Sequence, residues 1–288
     1  MKELAWVLVT VGACSGGTEK ESDNADSDVP DDTVPDTLPD TDTDAGDTDT
    51  DPPDTDTVDT DAPVTGTDFA VYYVAWPGPG FDQRYPVTAT HIGGAMQSYV
   101  ASPDESPEIG SCSALDVGVH GSVAWGRWAD GETAGTYYGN TYVFGPENGW
   151  HYALLDTPVT SGAFGVAGAW AQVGATSTTT PGGDPVGTTT WEAVMVPGDP
   201  PQLALSMTAT VGGTTLQGAT PGWPDAAKSK ITWFNGSFAG GMDLTGCPAP
   251  GPCTLSVRGR FADGGETMAL MYTSVPDQWA GVAVLAAP

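Results

Sequence analysis

The chain has 288 residues and a formal net charge of -29 at pH 7, which arises from 37 Asp and Glu against eight Lys and Arg. Eighteen acidic residues lie between Ser15 and Gly66, and from Thr67 onward 18 more stand against six basic residues. Affinity for phosphate backbones comes largely from Lys and Arg that displace counterions. The charge therefore argues against nucleic acid as a partner.

The beginning of the chain has the pattern of an export signal. Lys2 is followed by an apolar run over residues 4–13, and Cys14 comes directly after this run. Ten helical residues span about 15 Å, half of a bilayer's hydrocarbon thickness, so the run suits a signal peptide better than a membrane-spanning helix. We predict a signal peptide at residues 1–13. A plain secretory signal, or a start codon inside a longer signal, remain the alternatives.

The four residues that end this segment, Val-Gly-Ala-Cys at 11–14, resemble a bacterial lipobox. The resemblance implies that Cys14 becomes an acylated N-terminus, and several acyl chains together hold a protein firmly at a membrane. Ser15 is similar to the residue found at this position in lipoproteins of the outer membrane. The expectation is an outer-membrane lipoprotein, periplasmic or surface-exposed, whose membrane contact is its lipid anchor.

Residues 14–66 are predicted to be a disordered acidic tether. Asp alternates with Thr, as in residues 40–44, but neither face of such a strand is apolar, so the segment has nothing to bury. The Asp spacing resembles a calcium loop only in part, because Ala45 precedes Gly46 and the twelfth position is Asp51. We interpret the segment as a spacer and not as a metal site.

Residues 67–288 are predicted to form an all-β domain. One strand alternates apolar and polar residues over 203–211 and ends at Gly212-Gly213, a hairpin signal. A second hairpin is predicted from strand 255–261 through the turn 263–265 into strand 268–272. The predicted fold is a single antiparallel up-and-down β-barrel of about eight strands, with a β-sandwich as the alternative. Closure is favoured because it removes exposed strand edges.

A family resemblance rests on short glycine-aromatic motifs within residues 119–288. They are Trp-Gly-Arg-Trp at 125–128, Trp-His-Tyr-Ala at 150–153, and the strands 170–176, 257–261 and 280–284. These motifs resemble the barrel of transferrin-binding-protein-B-like surface lipoproteins, which is also found at the C terminus of some FecR-type proteins. The resemblance implies the barrel fold. Transferrin binding is not carried over, because the long variable loop insertions of the host-binding members are missing.

Two cysteines are predicted to form a disulfide. Cys247 and Cys253 flank a stiff, proline-rich turn, and an oxidising compartment would join them. Cys112 is then unpaired, or it pairs with one of these two and leaves a different thiol free. The isolated His91, His120 and His151 predict no metal site. The chain has no recognised catalytic motif, so we expect no cofactor and no enzymatic activity.

Aromatic residues supply the candidate binding site. The structural interpretation of the nine tryptophans after residue 67 is barrel filling, and the functional one is a platform for a sugar ring or an apolar ligand. The candidate ligand contacts are Trp223 in a loop, the aromatic group Tyr137, Tyr138 and Tyr142, and Arg127. Arg127 is either a paired interior charge or a cation that faces the ligand.

These features favour a non-catalytic cell-envelope lipoprotein whose barrel is a binding or interaction module on a flexible acidic stalk. Its target is a protein, a glycan or a small molecule. One alternative is an envelope glycan hydrolase that uses two carboxylates in a cleft. The other is a purely structural envelope protein, which predicts a barrel interior filled with side chains and no exposed aromatic patch.

Overall fold

The computed structural model describes a set of segments in the C-terminal four-fifths of the chain. They are residues 64–75, 80–156, 158–159, 167–180, 187–234, 236–247, 253–275 and 279–288, with backbone alone for 64–87, 234 and 275. The predicted signal peptide, Cys14 and the acidic segment up to residue 63 lie outside them. Short 3-10 helices occupy Ala226–Lys228 and Asp263–Gly265. No helix in the described segments has the length and hydropathy required to cross a bilayer.

The first ten strands precede the barrel in the chain, and most of them build a single sheet. In chain order they are β1 (Val64–Ala75), β2 (Gly80–Ile92), β3 (Ala95–Val100), β4 (Glu105–Glu108), β5 (Ser113–His120), β6 (Val123–Ala129), β7 (Gly131–Glu132), β8 (Ala134–Tyr137), β9 (Val143–Phe144) and β10 (Trp150–Leu155). Eight of them form the first sheet, in the order β5-β6-β10-β1-β2-β3-β4-β8. Strands β7 and β9 pair separately with each other.

The remaining strands build a closed barrel. They are β11 (Gly168–Ala175), β12 (Thr188–Val196), β13 (Gln202–Val211), β14 (Thr214–Ala219), β15 (Thr232–Phe234), β16 (Ser237–Thr245), β17 (Cys253–Ala262), β18 (Thr267–Val275) and β19 (Ala280–Ala286). Eight of them pair antiparallel in a ring that closes where β14 meets β16 and β11 meets β19, while β15 adds to β16 outside the ring. The predicted all-β fold with an eight-stranded up-and-down barrel is confirmed.

Alternation of residue types explains how the barrel strands form. On β13, Leu203, Leu205 and Met207 are buried, whereas Thr208 and Thr210 point to solvent. The turn into β14 has two glycines with positive φ, 56° and 79°, which a two-residue hairpin requires. The predicted hairpins β13–β14 and β17–β18 are both present. The barrel interior is filled with apolar side chains, which include two fully buried tryptophans at positions 170 and 191.

The first sheet packs against the outside of the barrel at β18 and β19. The outward residues Met271, Val282 and Val284 join the core of the first sheet, while the inward residues of the same strands join the barrel core. This explains why every residue of β19 is buried, since a strand covered on both faces has no solvent side. The two cores therefore share the wall made by these two strands.

Candidate functional site

The segment 137–143, which we call the tyrosine hairpin, connects β8 to β9 and has a two-residue turn at its tip. The amide N of Tyr137 donates to the carbonyl of Asn140, and the amide N of Asn140 donates back, both at 3.1 Å. Between them, Tyr138 and Gly139 have φ values of 50° and 79°. Glycine adopts this conformation freely, whereas a bulky residue such as tyrosine is rarely found in it. Tyr138 is thus held in an unusual backbone conformation.

Contacts at both ends of Tyr138 hold it there. Its amide N donates to the carbonyl of Asp104 at 2.7 Å, and its hydroxyl donates to Oε2 of Glu105 at 3.3 Å. The side-chain amide of Asn140 adds a bond to the carbonyl of Tyr138 at 3.1 Å. Tyr138 nevertheless remains 53% exposed. The hairpin therefore presents an aromatic ring to solvent in a fixed orientation.

Glu105 is the polar centre beneath the hairpin. It is fully buried on β4, and its other carboxylate oxygen, Oε1, accepts a hydrogen bond from the Tyr99 hydroxyl at 3.2 Å. Burial of a carboxylate is costly unless hydrogen bonds compensate it. Two tyrosine hydroxyls, one from the core and one from the surface, therefore converge on a single buried carboxylate.

A continuous aromatic cluster supports the tyrosine hairpin from below. The ring of Tyr137 lies 4.9 Å from that of Tyr138 and 5.3 Å from that of Trp150, both edge-on. Tyr142 also contacts Trp150, at 5.6 Å, and burial raises the pKa of its hydroxyl. The fully buried Trp150 continues to Trp128 at 5.7 Å. The three predicted tyrosines are thus together, at the surface end of the first sheet's core.

The surroundings of the hairpin are acidic. Between residues 95 and 155 the chain has seven Asp or Glu and a single Lys or Arg, which is Arg127. Asp104, Glu108 and Glu132 are exposed, and the Thr141 hydroxyl donates to Oε1 of Glu132 at 3.0 Å. Two of these exposed acidic residues thus contact the hairpin, Asp104 through its backbone carbonyl and Glu132 through its carboxylate.

Arg127 is occupied by partners inside the protein. Its Nε pairs with Oδ2 of Asp116 at 3.2 Å, and its Nη1 donates to the carbonyls of Pro146 and Asn148 at 2.9 and 3.1 Å. Only 4% of its side chain is accessible. Of the two roles expected for Arg127, the structure shows the paired interior charge. Asp116 also accepts from the backbone N of Ser177 at 2.9 Å, which ties the first sheet to the segment after β11.

His151 forms a second buried polar contact between the first sheet and the barrel. Its ring nitrogens lie 2.8 Å from the hydroxyl of Thr176 and 2.6 Å from that of Thr179. Burial, followed by the positive charge of Arg127, lowers the pKa of His151 to about 3, and Asp116 opposes this shift. His151 is therefore neutral at physiological pH and serves as a structural polar contact.

The remaining predicted residues lie elsewhere. Trp223 is half-buried in the connection between β14 and β15, on the barrel and not in the hairpin. The predicted disulfide between Cys247 and Cys253 is confirmed, with a Cα–Cα distance of 6.5 Å. Cys112 is a buried free thiol, and burial raises its pKa to about 11. Within the described segments, no three His, Cys, Asp or Glu are grouped as a metal site would require.

Two residues of the candidate site escape sequence reasoning. Glu105 and Tyr99 belong to it only through contacts made in the folded chain, and Glu105 lies 33 residues before Tyr138. Nothing in the local sequence around Glu105 predicts a buried carboxylate. The signal in the sequence was the aromatic group of three tyrosines near Asn140, which indicated an aromatic loop but not the acid beneath it.

Comparisons with known proteins yield distant structural neighbours alone. No family model matches the chain, and no curated protein matches it. One neighbour is a mutant of transferrin-binding protein B from Haemophilus parasuis, with 10% identity, a TM-score of 0.32, and coverage of 76% of this chain and 43% of that one. This chain thus spans less than half of that protein's length.

Another neighbour is a protein of unknown function of the DUF3598 family from Nostoc punctiforme. It has 10% identity and a TM-score of 0.24, over 77% of this chain and 93% of that one. At such TM-scores the likeness is distant and carries no argument about function. The site is therefore interpreted from its own residues.

Proposed function

We propose that this protein is a non-catalytic binding module of the cell envelope and that the tyrosine hairpin contacts its ligand. The observation that carries the proposal is Tyr138, a residue that is 53% exposed while its amide and hydroxyl are both fixed by hydrogen bonds. Backbone strain of this kind costs about 1–3 kcal/mol and clusters at functional sites. The purely structural alternative agrees with the filled barrel interior, but it does not predict the exposed Tyr138.

The composition of the hairpin supports the same function. Its sequence, Tyr-Tyr-Gly-Asn-Thr-Tyr-Val at 137–143, has the residue types that dominate recognition loops, where tyrosine supplies contact area at low entropic cost and Gly and Asn supply turns and polar contacts. The packing of Tyr137 and Tyr142 on Trp150 orders the loop before any ligand arrives. Such preorganisation reduces the entropic cost of binding.

The proposed location is the outer membrane, periplasmic or surface-exposed. The disulfide between Cys247 and Cys253 supports export, since disulfides persist in oxidising compartments. The lipobox-like residues 11–14 support acylation of Cys14, with the acidic segment that follows as a spacer between anchor and domain.

An array experiment tests the binding function. The full-length protein, its Tyr138→Gly variant and the control Val196→Ser would be applied to glycan and protein arrays. Glycine suits the positive φ at position 138, so the variant removes the ring without backbone strain. Val196 is a 45% exposed apolar residue on barrel strand β12. We expect signals that Tyr138→Gly abolishes and Val196→Ser retains. An array on which no signal depends on Tyr138 would contradict the proposal.

The location has a separate test. Intact cells would be treated with protease, and the N-terminal peptide would be analysed by mass spectrometry. The expected result is a peptide that begins at an acylated Cys14. An unmodified peptide that begins at Met1 would discard the lipid anchor.

A further inference from the structure

We propose that the barrel interior binds a small, neutral, apolar molecule that carries a carbonyl oxygen, and that the indole Nε1–H groups of Trp170 and Trp191 are its hydrogen-bond donors. This site lies inside the barrel and does not involve the tyrosine hairpin, so the inference goes beyond the proposed function. It is carried by three observations: two buried donors without an acceptor, an uncharged interior, and flexible side chains that line it.

Trp170 and Trp191 bury hydrogen-bond donors that have no acceptor. Both residues belong to the barrel core and are at most 1% exposed. Within the described part of the chain, their Nε1 atoms are inaccessible to solvent and have no hydrogen-bond partner. By contrast, Nε1 of Trp128 in the core of the first sheet donates to the carbonyl of Met96 at 2.7 Å. A buried donor without an acceptor is destabilising, and because indole nitrogen donates but does not accept, a ligand that satisfies it must supply an acceptor.

The two tryptophans are close enough to contact one small molecule. Trp170 on β11 pairs with Ala193 on β12, and Trp191 lies two residues before Ala193 on the same face of β12. Such diagonal neighbours on adjacent strands are roughly 7–8 Å apart. The ring of Trp170 lies edge-on to that of Phe261 at 5.4 Å, and the ring of Trp191 lies 5.3 Å from that of Tyr272. Aromatic surroundings with a few polar groups are typical of sites for small apolar ligands.

The barrel interior favours a neutral ligand. The described barrel strands contain four charged residues, which are Glu192, Asp243, Arg258 and Arg260. Each of them alternates along its strand with residues of the barrel core, so its side chain lies on the outer face. A charged ligand would therefore be buried without an opposite charge, which is costly. A carbonyl oxygen supplies the required acceptor without a charge.

The side chains that line the interior can adjust to a ligand. Four methionines belong to the barrel core, at positions 195, 207, 242 and 268. Methionine is unbranched and flexible, and it is common at surfaces that adapt to different ligands. These side chains fill the interior, and a change in their rotamers is the means by which we expect it to admit a small molecule.

The barrel wall has a seam that offers a route to the interior. Within the described residues, β14 and β16 pair over residues 217–219 and 243–245, a shorter ladder than that of any other neighbouring strands of the ring except β11 with its two neighbours. The connection that follows β14 also buries a hydroxyl without a hydrogen-bond partner in the described part of the chain, Oγ of Ser229. Few ladder bonds and an unsatisfied polar group make this seam the expected place of entry.

The indole N–H signals of the full-length protein test the inference by NMR. One probe is 2-octanone, and the other is 2-methyl-1-octene, which keeps the shape of the ketone but replaces its oxygen with a CH2 group. Each probe would be supplied through the vapour at the same fraction of its saturation, so that the apolar driving force for binding is equal. The signals of Trp170 and Trp191 would be assigned with Trp170→Phe and Trp191→Phe. The signal of Trp128, whose N–H is bonded to Met96, is the internal control.

We expect 2-octanone to shift the N–H signals of Trp170 and Trp191 downfield and to saturate, because a proton that donates to oxygen moves downfield. The alkene should shift them less, and the signal of Trp128 should stay in place with both probes. Each Phe variant removes one donor and should lower the ratio of ketone affinity to alkene affinity by about twofold to tenfold, the range of one neutral hydrogen bond. The ratio cancels the change in packing that the smaller ring causes. Tyr138→Gly, outside the barrel, should leave the ratio unchanged.

Three results would overturn the inference. They are the absence of a saturable shift of either signal with 2-octanone, equal shifts with the ketone and the alkene, and an affinity ratio that neither Phe variant changes. The first two need the native protein alone, so the test holds even where a variant fails to fold. Because none of these results involves the tyrosine hairpin, failure here leaves the proposed function to its own test on the arrays.

Discussion

Nε2 of His151 on β10 and the hydroxyl of Thr179, which follows β11, form a 2.6 Å hydrogen bond that joins the first sheet to the barrel. The second ring nitrogen binds Thr176. Because neutral imidazole has one donor and one acceptor, one threonine accepts from the ring and the other donates to it. Protonation would turn the accepting ring nitrogen into a donor that faces the hydroxyl donating to it, and it would place a positive charge in a buried site.

We therefore predict that stability falls at acid pH through His151. Its pKa is about 3 in the folded protein, against 6.5 when exposed. Between these values the unfolded chain binds a proton that the folded chain does not, so stability is fully present above pH 6.5 and declines toward pH 3. Each pKa unit corresponds to about 1.4 kcal/mol, so the decline amounts to a few kcal/mol.

Urea unfolding at pH 7 and pH 4 measures this effect. The native protein should lose more stability between the two pH values than a His151→Gln variant, whose side chain offers one donor and one acceptor without titrating. Equal losses in both proteins would show that His151 does not contribute to the pH dependence.

Gly174→Ala should destabilise the contact between the two sheets. A Cβ at Gly174 on β11 would overlap the ring of Trp125 on β6, which is buried in the first sheet. Overpacking of this kind costs about 1–3 kcal/mol. Gly145→Ala is the matched control, because the nearest atom to a Cβ there is 3.8 Å away. Thermal unfolding of both variants checks the prediction, and equal melting temperatures would contradict it.

Arg127→Ala should lower the free energy of unfolding more than the removal of an exposed charge does. The variant removes the cation that pairs with the Asp116 carboxylate. It also removes the hydrogen-bond donor of the carbonyls of Pro146 and Asn148, in a site where the arginine side chain is 4% accessible. Removal of one member of such a pair costs about 3 kcal/mol. Lys228→Ala breaks an exposed pair with Asp225 and should change the free energy of unfolding little. Chemical denaturation of the two variants compares these costs.

The disulfide should stabilise the barrel modestly. Cys247 and Cys253 are six positions apart, and closure of so short a loop contributes about 2 kcal/mol in the chain-entropy model. A Cys247→Ser, Cys253→Ser double variant should therefore lose about 2 kcal/mol of unfolding free energy and unfold at a lower denaturant concentration.

In the native protein, the buried Cys112 should remain unlabelled by a thiol reagent until the chain unfolds. Rapid labelling of native Cys112 would contradict its burial.

The barrel was predictable because its strands alternate cleanly and end at glycine turns. The sequence did not predict the first sheet as a unit separate from the barrel. Strand β4 reads Glu-Ser-Pro-Glu, which has no apolar alternation, and β5 is interrupted by a bulge at Asp116, whose φ is 56°. By local propensity, residues 119–128 would form one strand, but in the structure the turn at Gly121 and Ser122 separates β5 from β6. Tertiary packing, and not local propensity, places these residues in strands.

The candidate site was predictable in part. Tyr137, Tyr138 and Tyr142 are close in sequence, so their grouping follows from chain proximity, and the structure brings them together. Trp223 lies in a barrel connection instead, because the path of the chain between β14 and β15 cannot be obtained from its local sequence. Glu105 was missed for the same reason, since its role depends on a contact between distant segments.

Burial of β19 on both faces has a consequence for how the chain acquires its structure. This strand follows every other strand in the sequence, yet it closes the barrel against β11 and lines the core of the first sheet. During synthesis, neither half of the domain can complete its packing until residues 280–286 have emerged. A chain that stops before Ala280 would expose two apolar surfaces at once, which would make truncated products prone to aggregation and to removal by proteases.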